Sequence, residues 1–484
     1  MFVIKTGVMG WAAGLSALVI WGLVIVGPQA GAAGDDAPTT EQLVKVWDAE
    51  HISPPLPPLV THPDVVAHVT KIVADTPDLF SQEVIGQSNE GRTLHHVWFG
   101  KGATHILLWS QMHGDEPTAT SALFDFHNYV RMHRNEPIVK RMLDNLTIHV
   151  VPMLNPDGAE RWQRRNLQDI DINRDAVRLQ TPEGRALKAL RDRFNPTLGF
   201  NLHNQNWSTS VGFPPKPASI SLLAVAFNRE RTDNERRVLA KKTSAIIREA
   251  IEPLIPGQIG RYDDEFEVRA FGDNIAKWGT GVVLIETGPA PGDDPDRTLI
   301  RTNFVAIVTA LDALASGRVK KADPQRYETL PFNESRLLHT VVTGATLVGN
   351  PQLAPYTADI GISGTRIVRR GEADAGSADA AAKRTLGLAA RIADLGDLQT
   401  SGALNTIDAK GLTAAPLWDE NLKQGDEVSL PDWSAWKGAT IAIGQPPNIV
   451  LLAPAAATPA AGAAPRYRVE RVIRLADPFP PDRK

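Results

Sequence analysis

His113 and Glu116 stand three residues apart in Gln111-Met112-His113-Gly114-Asp115-Glu116-Pro117, a spacing that lets one imidazole and one carboxylate close on the same metal ion. The stretch leaves an apolar run, Ile106-Leu107-Leu108-Trp109, that reads as a strand covered on both faces. It runs into Pro117, whose missing N–H costs nothing at the first position of a helix, and then a helical period from Thr118 to Val130. The pair therefore belongs to a strand-to-helix loop, where open α/β sheets bind ligands. By itself it reads equally well as a surface histidine beside a carboxylate that complements a helix dipole. Two further polar residues change that reading. His203 ends the apolar run from Thr197, and Glu286 ends the run from Thr280. Two histidines and a glutamate with a fourth position open make a catalytic zinc set, and one more carboxylate nearby supplies a base.

Those side chains need elements to carry them. His62 to Thr76 reads as a helix, Gln82 to Gly86 and Thr93 to Gly100 as strands around a polar turn, and Leu146 to Met153 as a buried strand ending in the turn Asn155-Pro156-Asp157-Gly158. Helical periods cover Pro182 to Phe194, about Asp233 to Ala250, and Thr298 to Ser316. Strands alternating with helices predict an α/β fold over residues 60–317, with a mixed, mostly parallel sheet flanked by helices. Residues 318–336 are polar and hold Pro324 and Pro331, which makes them a linker. Residues 337–484 alternate short β-like runs with Gly/Asp turns around an alanine-rich loop, Ala453 to Pro465, and predict a smaller all-β, sandwich-like domain. That tail holds one histidine, His339, and no cluster of ligands, nucleophiles or bases, so stability or positioning is its expected role.

The chain has 484 residues, of which 43% are hydrophobic, enough for real cores in more than one module. A net charge of -4 without a basic block argues against nucleic acid and against anionic membrane surfaces as partners. Cysteine is absent, so disulfides, thiolate metal sites and cysteine nucleophiles are excluded, and metal binding falls to His, Asp and Glu. Residues 1–34 carry Lys5, then an uncharged apolar stretch with a small-residue end, Ala30-Gly31-Ala32-Ala33. This is an export signal, either cleaved after Ala32 or Ala33 or retained as a membrane anchor, and it puts the body in the periplasm or outside the cell. Residues 35–59, polar and then proline-rich, read as a loosely packed extended linker.

Over roughly Val60 to Ser316 the chain resembles the zinc carboxypeptidases, the funnelin metallopeptidases. His113-Gly114-Asp115-Glu116 is similar to that family's first zinc motif, and His203 in Asn201-Leu202-His203-Asn204-Gln205 to its third ligand. Asn155-Pro156-Asp157-Gly158, Asp171-Ile172-Asn173-Arg174 and Leu284-Ile285-Glu286-Thr287-Gly288 resemble, in order, its substrate-side turn, its Asp-x-Asn-Arg and the segment of its catalytic glutamate. The resemblance implies one zinc per chain held by His113, Glu116 and His203, with Glu286 as general base. It implies an oxyanion arginine at Arg164, with Arg165 as the alternative, and a carboxylate clamp from Asn173 and Arg174. It also implies that Asp171 orients a ligating imidazole and that Tyr262 is the mobile-loop tyrosine. The expected activity is exported metallocarboxypeptidase, acting on peptides with a free C-terminus; a zinc-dependent deacylase or cell-wall peptide amidase on the same scaffold is the alternative. Asn201 departs from the acidic residue many relatives carry two before the third ligand, and Asp263 to Asp273 is unusually charged for a specificity pocket. More weakly, Thr357 to Val368, Ile407 to Leu412 and Trp436 to Gly444 resemble pieces of the small β-sandwich of amidohydrolases, without the metal-binding barrel.

Overall fold

A computed structural model describes residues 37–54, 59–370, 384–455 and 464–475. The apolar segment 1–34 lies outside them, as do part of the proline-rich stretch and most of the alanine-rich loop. Strands β1 (Phe80–Gln87), β2 (Thr93–Gly100), β3 (Thr104–Ser110), β4 (Leu146–Val151) and β5 (Leu198–Asn204) are followed by β6 (Thr209–Val211), β7 (Lys216–Pro217), β8 (Ile220–Ala224), β9 (Ile259–Arg261) and β10 (Gly281–Thr287). Eight of them form one mixed sheet in the order β1-β2-β4-β3-β5-β10-β8-β9. Its centre, β4-β3-β5-β10, is parallel throughout, which requires covered crossovers between neighbours. The cover comes from α1 (Thr40–Glu50), α2 (His62–Asp75), α3 (Thr118–Met132), α4 (Pro137–Asn145), α5 (Pro156–Arg161), α6 (Pro182–Phe194), α7 (Glu235–Ile251), α8 (Phe271–Lys277) and α9 (Pro295–Ala315). The α/β class and the mostly parallel sheet are as the alternation of strands and helices predicts. α9 is apolar enough over its 21 residues to resemble a membrane span, yet most of it is buried as the core helix behind the sheet.

Two expectations about connections need correction. The stretch 35–59 is no loose linker over its described part: α1 buries Leu43 and Trp47, four residues apart on one helix face. Its start is closed by a capping box, in which the Thr39 hydroxyl accepts from Gln42 N–H and Gln42 Oε1 accepts from Thr39 N–H. Trp47 Nε1 donates to Asp125 of α3 at 2.7 Å, and the same carboxylate accepts from the Ile52 and Ser53 N–H groups at 2.7 Å each. Residues 318–336 are not free either. α10 (Gln325–Glu328) buries Tyr327, whose hydroxyl accepts from Ala224 N–H at 3.0 Å, and β11 (Glu334–Ser335) pairs with β6. Composition hid both segments because each packs through one or two large side chains set among polar residues and prolines.

Beyond them, β12 (Leu337–Leu347), β13 (Tyr356–Arg370), β14 (Arg384–Gly396), β15 (Gly402–Asp408), β16 (Thr413–Pro416), β17 (Glu427–Ser429), β18 (Asn448–Pro454) and β19 (Arg466–Arg474) form one all-β network. It runs β14-β13-β12-β16-β18-β19-β17, with β15 also on β12. It has its own apolar cluster around Val342, Ile360, Ile392 and Leu451.

A row of three imidazoles, His96 and His149 buried and His105 half-buried, crosses the first sheet. Glu83 of β1 bonds His96 Nδ1 at 2.9 Å, His96 Nε2 meets His149 Nδ1 at 3.0 Å, and His149 Nε2 meets His105 Nδ1 at 2.9 Å. With every ring neutral, His96 and His149 each donate one bond and accept one, and His105 ends the row by donating to His149. Burial holds His96 down to about 4 despite Glu83, and burial with the adjoining imidazoles takes His149 to about 3. In the unfolded chain these groups take up protons from about pH 6.5 downward, so their stabilisation is complete above that pH and is lost as pH falls toward 4. Urea midpoints should therefore drop steeply between pH 6.5 and 4, and His149→Gln should flatten that slope. An unchanged slope in the variant would locate the acid sensitivity elsewhere.

Candidate active site

The loop after β3 is shaped by its backbone before any ligand is considered. Gln111 adopts the left-handed region with φ 49, held there by its own side chain. Its Nε2 donates to Gly114 O at 3.0 Å, and its Oε1 accepts from the Thr120 hydroxyl at 2.9 Å. Gly114 lies so close to Gly158 that a Cβ on Gly114 would overlap the Gly158 backbone, and a Cβ on Gly158 would meet the Asn155 side chain and the Arg165 carbonyl. The Asn155-Pro156-Asp157-Gly158 turn is anchored by the fully buried Asp157, which accepts from the Ser88 hydroxyl at 2.8 Å and Arg92 Nη1 at 2.7 Å. Asn155 caps α5 through Gly158 N–H at 2.9 Å, and its Nδ2 donates to Arg164 O at 3.2 Å. One glycine contact thus fixes His113 against the segment that delivers Arg164.

Parallel pairing supplies the rest. In the β5–β10 register His203 lies beside Glu286, at the carboxyl ends of both strands. His113 Nδ1 reaches Glu116 Oε1 at 2.8 Å, His203 Nδ1 reaches Glu116 Oε2 at 2.7 Å, and the two Nδ1 atoms are 3.1 Å apart. Tetrahedral zinc with bonds of ~2.0–2.1 Å to nitrogen and oxygen places its ligand atoms roughly 3.3 Å from one another. The convergence of two imidazole nitrogens and a carboxylate, all buried, fits such an ion, and these three are the metal-ligand cluster found among the described residues. The electrostatics agree. Burial opposes charge on His113, but Glu116 and Asp171 outweigh it and raise the imidazole to about 9. Burial likewise opposes charge on Glu116, yet the two imidazoles pull its carboxyl well below the usual range. Two nitrogens turned toward one carboxylate at these distances form a cradle for a cation.

The neighbouring groups are placed as follows. His113 Nε2 meets Asp171 Oδ1 at 3.2 Å, which fixes the ring through the nitrogen facing away from the cluster. Arg164 Nη1 lies 3.0 Å from His113 Nδ1 and its Nη2 3.0 Å from Asp171 Oδ2, whereas Arg165 is half exposed and points to Asp169. Of the two arginines, only Arg164 reaches the cluster. Glu286 is buried, and burial, reinforced by Glu116, pushes its carboxyl above the usual range. Tyr262 follows β9, and the charge of Glu286 together with burial pushes its hydroxyl up to about 12. Asn173 and Arg174 lie in a short 3-10 turn, where Asn173 Oδ1 accepts from Phe271 N–H at 2.9 Å. Arg174 Nε sits 3.5 Å from Glu267, an ion pair in which both partners are about one-third exposed.

A cavity of about 470 Å³ joins these groups, with His113, Glu286 and Tyr262 on its walls and Asn173 and Arg174 among the residues that bound it. Four more residues contribute to this face, of which the sequence pointed to Asn201 and to the run ending at Asp273 without giving either a role, and gave no sign of the other two. Asn201 lines the cavity with its Oδ1 buried and lacking a hydrogen-bond partner. Asp273, pushed to about 7 chiefly by burial, lines it too, as do Asn333 and Glu334 from the supposed linker. The run Asp263 to Asp273 signalled charge, but nothing local signalled that residues past 330 fold back to the site.

Residues 65–220 match the family described as zinc carboxypeptidase. Over 158 residues the chain is 27% identical to Carboxypeptidase 2 of Trichophyton tonsurans, covering 31% of this chain and 29% of that one. Over 105 residues it is 32% identical to Carboxypeptidase SOL1 of Arabidopsis thaliana, covering 19% and 21% respectively. The chain thus spans less than a third of the length of these relatives. A solved metallo-carboxypeptidase from Burkholderia cenocepacia superposes with a TM-score of 0.41 at 17% identity, over 52% of this chain and 69% of the other.

Proposed function

We propose, for a chain whose residues 65–220 match the zinc carboxypeptidase family, that the protein is an exported metallocarboxypeptidase that removes C-terminal amino acids from peptides. The observation that carries this reading is the meeting of His113, Glu116 and His203 beside Glu286, with His113 and Glu286 on the wall of a cavity bounded by Asn173 and Arg174. The three ligands would hold one zinc ion per chain, which when bound polarises a carbonyl and acidifies water. Glu286, its carboxyl raised by burial, takes the proton of the attacking water and hands it to the leaving nitrogen. Arg164 turns its guanidinium toward the charge that develops on the carbonyl oxygen. Asp171 keeps the His113 ring in register, and Tyr262 covers the substrate from the β9 side.

Arg174 binds the substrate's terminal carboxylate, with Asn173 beside it. Its long, partly exposed pair with Glu267 is worth little, so a substrate carboxylate in the cavity can displace it. The apolar, uncharged segment before Gly34 supports export to the periplasm or the outside, with membrane contact only through that segment if it is retained. The acidic net charge and absence of a basic block support a peptide, not a nucleic acid, as partner.

A matched pair of peptides, one with a free C-terminus and one amidated, tests the assignment. Wild type should cleave the free acid far faster. Arg174→Ala should lower kcat/KM for the free acid by roughly two orders of magnitude, the scale of a lost charged hydrogen-bond pair, and slow the amide little further. Equal cleavage of both peptides by wild type would replace this reading with a deacylase or peptide amidase.

A further inference from the structure

A second cavity of about 300 Å³ meets the first at the metal-ligand cluster. Both are bounded by Arg164, Asn204 and Gln205, but this one has Glu116 on its wall in place of His113 and Glu286. Its remaining wall is not built by the α/β part alone. Thr365 and Arg366 of β13, from the all-β region, line it together with Trp162, Trp207 and Asp296. Arg366 is fixed there by a two-pronged pair to the buried Asp296 at the start of α9, at 2.6 and 2.8 Å, and its guanidinium stacks 4.2 Å from the centre of the Trp207 ring. Trp162 is set in place by a left-handed backbone conformation, φ 50 and ψ 58, at the end of α5.

We infer that this cavity is the upstream subsite of the active site, that the all-β region completes it through Arg366, and that it takes a bulky aromatic or apolar residue immediately before the cleaved bond. The inference rests on the metallocarboxypeptidase reading above. If the terminal carboxylate sits at Arg174 in the first cavity, the peptide carbonyl lies at the cluster. The chain before that carbonyl then leaves past Glu116 and Arg164, into the second cavity. Among walls that are otherwise mostly polar, Trp162 and Trp207 supply the aromatic surface, Trp207 with Arg366 stacked over its ring, and Asn204, Gln205 and Asn206 offer amide groups suited to a peptide main chain. The volume is at the low end for small-molecule sites, so it accommodates one or two residues. Arg366 spends its donors on Asp296 and its face on Trp207, and thus acts as a positioning residue for the Trp207 wall.

The test uses zinc-loaded full-length protein and N-acylated dipeptides that share a C-terminal residue and differ in the penultimate one, phenylalanine against glycine. Wild type should favour the phenylalanine substrate at least ten-fold in kcat/KM. Trp207→Ala and Arg366→Ala should each pull that ratio toward one, mainly by raising KM for the phenylalanine substrate, while Trp207→Phe restores most of it. Melting curves identify a variant that has failed to fold; if Arg366→Ala does so, Trp207→Ala decides. A wild-type ratio near one, or an unchanged ratio in folded Trp207→Ala, overturns the subsite. Failure of wild type to cleave either dipeptide instead overturns the metallocarboxypeptidase reading on which it rests.

Discussion

Glu286→Gln should keep its metal and its substrate affinity while turnover falls by roughly two to four orders of magnitude, the scale of a lost general base. The substitution keeps the size of the side chain at the end of β10 and removes only its ability to take a proton. Because Glu286 is buried beside Glu116, the neutral amide also relieves a carboxylate–carboxylate repulsion, so the fold should be at least as stable as wild type. Measured kcat and KM, with metal content determined on the same samples, separate the outcomes. A loss confined to KM, or a variant that retains turnover within a few-fold, would remove Glu286 from the proton-transfer role.

His203→Ala should abolish metal binding. Wild type prepared without chelator should carry about one zinc per chain, and the variant close to none, because two remaining side chains do not make a structural or catalytic zinc set. The same loss should appear without any assay of activity. Chelation should lower the melting temperature of wild type, since an ion bound only by the folded state stabilises it, and should leave that of His203→Ala unmoved. Asp171→Asn should weaken the metal more mildly, by roughly 10- to 100-fold, through the orientation of the His113 ring. Wild-type protein without metal would defeat the enzymatic reading altogether.

What could be read from the chain and what could not divides along a physical line. β3, β5 and β10 were legible because parallel strands covered on both faces are continuous apolar runs, and a polar residue closing such a run stands out, as His203 and Glu286 do. That both belong to one site was read from their residue types and the family resemblance, but their direct pairing was not legible, since it depends on a register between positions more than eighty residues apart and leaves no local trace. α1 was hidden because its burial rests on Leu43 and Trp47 amid polar residues. The choice between Arg164 and Arg165 turned on side-chain direction, which a loop sequence does not carry. Arg366 was least accessible of all. It sits in a β-rich tail without clustered reactive groups, and its place at the cleft exists only once Asp296 and Trp207 are brought to it.

The docking of α1 bears on the order in which the protein can be finished. Trp47 reaches Asp125, 78 residues later, but Asp48 pairs with Arg297 of α9, 249 residues later, and Arg297 also covers the Trp47 ring. A ribosome adding roughly 5–20 residues per second needs on the order of 12–50 s to make that interval. The first helix among the described residues to emerge is therefore among the last to be covered, and during that interval Trp47 lacks the α9 side of its packing. A nascent chain halted before α9 would keep this apolar face open to other nascent chains or to a chaperone, however completely its central strands had already paired.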